Sequence, residues 1–327
     1  MSVGKFIISL DFELMWGVKD VTTIAAYGEN LKGVYEVIPR LLNIFESFKI
    51  KATFATVGLL FFESKTQLMA GLPNRVPHYA DKSFSPYSGY LQTIGEHASE
   101  DPFHYAPALI RLIRQFPDHE IGSHTFSHYY CLEHGQTPDD FKSDILKAKE
   151  IALKSGIHLT SLVFPRNQYS DEYLRVCNEL EILCFRGNES SWIYRARRGN
   201  KESLMRRGFR MADTYLNITG YNFYSDKQLK GSIPLNIPAS KFLRPYFPLL
   251  KSIENMRLNR IKAAMTHAAK NGLLYHLWWH PHNFGLYQDE NFAFLEKILH
   301  HYQKLNVEYG FESHTMTSAA KKILNSI

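Results

Sequence analysis

Short apolar runs alternate with longer amphipathic stretches from one end of the chain to the other. KFIISL (5–10), ATFATVG (52–58), HEIGSH (119–124), LTSLVFP (159–165), ILCFRG (182–187) and LLYHLWWH (273–280) read as strands, rich in β-branched and aromatic residues and bounded by polar or turn residues. Helical apolar spacing covers 30–48, 108–116, 137–156, 170–181, about 254–270 and 290–305, and a last strand near VEYGFES precedes a terminal helix from about 316. Thr137 can cap its helix, Pro138 suits the first turn and Gly156 the end. Such alternation predicts an α/β fold of parallel strands joined by crossover helices, as a barrel or an open sheet. Residues 62–103 and 188–260 break the rhythm and read as insertions in a single domain spanning 1–327.

Three polar clusters fall at the C-terminal ends of expected strands: Asp11 with Glu13, His124 with His128, and His280 with His282. Active sites of parallel α/β folds form on that edge. Spacing alone says little, because His276 and His280 are also four apart. Convergence of the clusters carries the argument. Two imidazoles and one carboxylate are a common zinc set that leaves a position open for water. A second carboxylate can take a proton from that water, and a separate histidine can protonate a leaving group.

Composition narrows the setting. The 45% hydrophobic and 21% charged residues are ordinary for a folded domain, and 327 residues can bury a large core. The 14% aromatic content reads first as bulky core and second as a carbohydrate-facing surface. The net charge of +6 favours an anionic partner. Cys131, Cys177 and Cys184 show no CxxC spacing, as expected of reduced thiols in the cytoplasm. The N-terminal apolar run is interrupted at Asp11, unlike a secretory signal, and no stretch reaches the length of a membrane span. A cytoplasmic protein is expected, with 241–262 either touching an anionic membrane surface or packed on the barrel.

SLDFE, SHTFSH, FPR and LWWH resemble, in order and spacing, the successive motifs of the polysaccharide deacetylase superfamily, metal-dependent carbohydrate esterases that remove N-acetyl groups from amino sugars. The resemblance covers roughly 5–187 and 272–312. It implies a distorted (β/α)7-type barrel with insertions and one divalent metal ion, usually zinc. Carried over residue by residue, it makes Asp11 the catalytic base, His124 and His128 metal ligands, His280 the catalytic acid, and Arg166 the arginine that holds the base. The usual motif has two adjacent aspartates, but Phe12 follows Asp11 here. The chain is similar to Asp-x-Glu branches, which makes Glu13 the third ligand, and strand alternation puts Asp11 and Glu13 on one side. Phe-Pro-Arg-Asn-Gln stands where the family has Arg-Pro-Pro-Tyr, and Trp192 is the nearest counterpart of an Asp-rich tryptophan motif.

Trp278, Trp279 and Tyr169 are the aromatic candidates for substrate contact; alternation lets only one of the two tryptophans wall the site, and by parity with His280 it is Trp278. The run 195–210 carries six arginines and one lysine, fit for a solvated loop or for gripping phosphates of a nucleotide- or lipid-linked sugar. No nucleic-acid recognition motif accompanies it. The expected activity is zinc-dependent removal of an N-acetyl group from an amino sugar. The alternatives are a deformylase or other amidase on the same metal site, and an inactive glycan-binding barrel.

Overall fold

The computed structural model describes residues 3–199 and 203–326. Nine strands form one sheet: β1 (Lys5–Phe12), β2 (Ala52–Thr56), β3 (Glu120–Ser123), β4 (Ser161–Val163), β5 (Cys184–Arg186), β6 (Leu235–Asn236), β7 (Lys241–Phe242), β8 (Leu274–Trp279) and β9 (Glu312–His314). Their order is β6-β5-β4-β3-β2-β1-β8-β7, with β9 beside the start of β1. All pairings are parallel. The sheet curls into the expected (β/α) barrel, with helices in most of the crossovers.

Alternation along the strands sorts the interior into layers. Phe6, Ile8, Leu10 and Phe12 of β1 face outward into the main core beneath the helices. Ile7 faces inward and joins Ala55, Val163, Cys184 and Leu274 in an apolar floor, closed by Met316, Ala319, Ala320 and Ile323 of the helix Met316–Asn325. One pleat period above Ile7 is Ser9, and one above that is Asp11. The barrel is apolar at the bottom and polar toward its C-terminal rim.

Two places differ from the expected pattern. The helix expected over 30–48 is two helices, Ile24–Lys32 and Val34–Ser47, that meet at Gly33. A Cβ on Gly33 would lie 2.3 Å from the carbonyl oxygen of Gly285, so only glycine permits this approach of the two backbones. The strand near VEYGFES is shorter than expected, because the helix Gln288–Tyr309 runs on until Gly310 ends it at φ +68°.

The stretch 188–260, expected to be an insertion, supplies part of the barrel wall. Ile237 and Ala239 donate from their amides to the carbonyls of Phe185 and Gly187 (2.8 and 2.9 Å), while Ser240 and Leu243 donate to those of His276 and Trp278 (both 2.8 Å). Residues 235–243 therefore bridge β5 to β8 and close the gap. The stretch 62–103 clamps the turn after β1: Phe103 O accepts from Met15 N (3.1 Å), and His104 O accepts from the Trp16 indole (2.8 Å). Among the described residues, no helix is long and apolar enough to cross a membrane. The three cysteines are unpaired and buried.

Candidate metal and catalytic site

Glu13, His124 and His128 meet at the rim. Glu13 Oε2 lies 3.1 Å from His124 Nε2 and 3.0 Å from His128 Nε2, and one ligand atom from each residue lies within 4.8 Å of the others. All three side chains are buried. His124 Nδ1 donates to the carbonyl of Val163 (2.8 Å), which leaves a lone pair on Nε2 in the neutral ring. That lone pair points at a carboxylate oxygen, an arrangement that calls for a cation between them. The residues thus fit a divalent metal with two imidazoles and one carboxylate.

The two histidines come together through a strained loop, not a helix. Thr125 and His128 sit at φ +64° and +58°, costly for residues with a side chain. Asp144 holds the loop: its carboxylate accepts from the amides of Phe126 (2.7 Å) and Ser127 (3.1 Å) and from the Ser127 hydroxyl. Burial pushes the Asp144 carboxyl up to about 6 despite these donors. Asp144→Ala would strand buried amides and is expected to lower stability by about 1–3 kcal/mol, read as a shift in the urea midpoint at constant slope.

Glu13 in turn depends on the residue four positions on. A Cβ on Gly17 would lie 1.9 Å from the Glu13 carboxyl carbon. Gly17→Ala is therefore expected to displace the carboxylate and weaken divalent-metal affinity by about 10–100-fold, the range seen when a ligand loses its support. A zinc titration against a competing chelator would show it; unchanged affinity would mean that Glu13 has another productive rotamer.

Asp11 stands beside this cluster on the same side as Glu13, as alternation required. Its partner is not the expected arginine. Arg186, at the end of β5, donates from Nη1 and Nη2 to Asp11 Oδ1 and Oδ2 (both 2.7 Å), and also to Ser9 Oγ (3.0 Å) and Asn167 Oδ1 (3.1 Å). Arg166 instead pairs with buried Asp20 and lies 4.1 Å over the ring of Tyr130. Its backbone is left-handed, φ +53°. Burial raises the Asp11 carboxyl, but Arg186 first and then His124 and His280 oppose it, and the net result lies below the usual carboxylate value. Glu13 is held well below its usual value in the same way: burial raises it, and His280, His124 and His128 together outweigh that.

His280 Nε2 lies 3.7 Å from Asp11 Oδ2 and 3.5 Å from Glu13 Oε1, and it retains some exposure. The other two histidines nearby are fully buried, and burial pushes both down to about 3. His276 sits one layer lower, bonded to Ser9 Oγ (2.8 Å) and the Ile237 carbonyl (3.2 Å). His282 stacks on His280 at 4.9 Å and fixes its ring. Trp278 faces inward, with Arg186 4.0 Å over its ring, and lines a cavity of about 420 Å³ that opens beside His280. Trp279 points the other way, buried in the outer core against Phe284 and Phe45, and Tyr169 packs against Phe164 and Phe185; neither lines the cavity. The period of two separates the tryptophans, and the apolar helix layer behind β4 and β5 takes up Tyr169.

Residues 32–185 match the model of the polysaccharide deacetylase family. That segment is similar to the polysaccharide deacetylase family. The matched segment holds the SHTFSH histidines and FPR, while Asp11, Glu13, Arg186 and His280 lie outside it and are tied to it by the geometry above. A Mycobacterium smegmatis protein assigned as a polysaccharide deacetylase shares the fold at a TM-score of 0.61 and 13% identity, over 98% of this chain and 90% of that one. One assigned likewise from Pseudomonas aeruginosa PAO1 does so at 0.52 and 11%, over 98% and 90%. PuuE allantoinase superposes at 0.56 and 12%, over 97% and 89%. At these identities the likeness concerns the fold. No curated protein sequence matches the chain.

Proposed function

We propose that this polysaccharide deacetylase-type barrel is a zinc-dependent hydrolase that removes the N-acetyl group of an amino sugar. The observation that carries the reading is the convergence of three separate elements: a His–His–Glu set, an ionised buried carboxylate and a partly exposed histidine share one small volume at the rim. Glu13, His124 and His128 would hold the metal, which when bound acidifies a water and polarises the acyl carbonyl.

The remaining steps belong to the chain's own groups. Asp11 takes a proton from the attacking water, and Arg186 keeps it ionised and aimed for that task. His280 gives a proton to the departing amine, its ring held by stacking on His282 and by Asn283 Oδ1, 3.3 Å from Nδ1. Trp278 and Phe242 border the cavity beside His280 where the sugar ring would rest. The rest of the substrate, a nucleotide or lipid carrier or a longer glycan, extends toward Arg195 and Arg197.

Incubating the zinc-loaded protein with N-acetylated and N-formylated amino sugars tests the reading through the acid released. Acetate is expected. Formate alone would move the activity to a deformylase, and no acid from a metal-filled protein would leave a glycan-binding barrel.

A further inference from the structure

The cavity beside His280 contains an unusual density of positive charge. Six of its lining side chains are arginines: Arg166, Arg195, Arg197, Arg206, Arg210 and Arg244. Their roles differ. Arg166 is neutralised by Asp20. Arg206 is buried and donates to the carbonyls of Ile193, Trp192 and Arg195, so it builds the wall. Lys201, part of the same basic run, lies outside the described residues.

Arg195, Arg197 and Arg244 have no such employment. Among the described residues, none of them has a carboxylate at ion-pair distance. Arg244 is half-buried and donates from Nε to Thr214 Oγ1 (2.8 Å), leaving the rest of its guanidinium for the cavity. Burial, and with it the like charges of Arg210 and Arg257, pushes its pKa below the ordinary value. Holding arginines together in a half-enclosed space costs free energy unless an anion joins them. Among the described residues, Glu189 is the one carboxylate lining the cavity, and burial pushes it up, toward the neutral form.

The cavity also places this charge beside a platform for a sugar. Trp278 and Phe242 line it with ring centroids 4.7 Å apart, and His280 lines its inner end. A ring resting there would reach the catalytic groups on one side and the arginines on the other. Guanidinium groups match phosphate through paired N–H donors.

We propose that this cavity is a phosphate subsite, in which Arg195, Arg197 and Arg244 hold the phosphate of a sugar phosphate whose N-acyl group reaches Asp11 and His280. The proposal deepens the deacetylase reading and rests on it for the second half. The phosphate belongs to a nucleotide or to a lipid carrier. The helix Leu204–Tyr215, which brings Arg206 and Arg210 to the cavity, exposes Leu204, Met205 and Phe209 to solvent, an apolar surface on which a lipid chain could rest.

The test is a binding measurement on the full chain, by calorimetry, with N-acetylhexosamine 1-phosphate and with the methyl glycoside of the same sugar. The phosphate is expected to bind about tenfold or more tightly, the worth of one or two hydrogen bonds between charged groups. Arg195→Gln with Arg197→Gln, both exposed, should bring that ratio close to one at unchanged zinc content, and Arg244→Gln should lower it as well. Equal binding of the two sugars, no binding of the phosphate, or a ratio untouched by the double substitution would overturn the subsite. A nucleoside-diphosphate sugar and a polyprenyl-phosphate sugar in detergent then identify the carrier by which binds more tightly. If the phosphate preference holds but no acyl group is released from any of these, the subsite stands and the deacetylase reading falls.

Discussion

On the proposed reading, replacing His124 with alanine is expected to abolish stoichiometric zinc binding and, with it, acyl release. The imidazole is oriented before any metal arrives: the Val163 carbonyl takes the Nδ1 proton and leaves Nε2 facing Glu13. Among the described residues, His276 is engaged by Ser9 and the Ile237 carbonyl, and His282 is stacked behind His280. Loss of a supporting partner alone typically lowers metal affinity about 10–100-fold, so loss of a ligand should exceed that. Elemental analysis of the purified variant, with circular dichroism to show that the barrel persists, provides the check. A folded variant that keeps about one zinc per chain would remove the metal site from these three residues.

The second large effect is expected at Arg186. Arg186→Met leaves a buried carboxylate without its paired guanidinium, and breaking such a pair costs about 3–5 kcal/mol. The direction of the pH effect follows from the causes acting on Asp11. Arg186 is the largest influence lowering its carboxyl, against burial that raises it. Without the guanidinium the carboxyl moves up, the base is protonated at higher pH, and the acidic limb of the kcat profile moves toward neutrality. In the parent protein the folded value lies below the unfolded one. The pair's contribution to stability is therefore present above the unfolded value and is lost as pH falls through the folded one. Arg186→Lys keeps the charge but not the two parallel hydrogen bonds, so it should shift the limb less while still lowering kcat. An acidic limb that stays in place in Arg186→Met would show that Asp11 is not the titrating base.

Alternation explains both what could be read from the chain and what could not. The period of two in SLDFE and LLYHLWWH puts Asp11, Glu13, Trp278 and His280 on the inner face without reference to any other strand. Arg186 obeys the same rule: it is the polar residue at the end of ILCFRG, as Asp11 is at the end of β1. That position was the available signal, but FPR lay closer to the family pattern and drew the role to Arg166. Which arginine reaches Asp11 depends on the left-handed turn at Arg166 and on curvature that brings β5 across the barrel from β1, and neither has a local signature. The two-residue strands β6 and β7 are too short to show periodicity at all. Asp144 was hidden for another reason: in sequence it is one acidic residue of an ordinary amphipathic helix, and only its burial under the SHTFSH loop reveals its role.

The ribbon 235–243 has a consequence for how the protein is made. Its amides on one side pair with β5, but those on the other need carbonyls of β8, which leaves the ribosome later. β1, the central strand, likewise waits for β8 across most of the chain's length. Contacts this distant in sequence form slowly, because the loop must close before they contribute. A chain that ends before β8 has no His280 and no finished cavity. A chain truncated before residue 274 should be recognisable by its exposed apolar sheet edge, and no acyl release is expected from it.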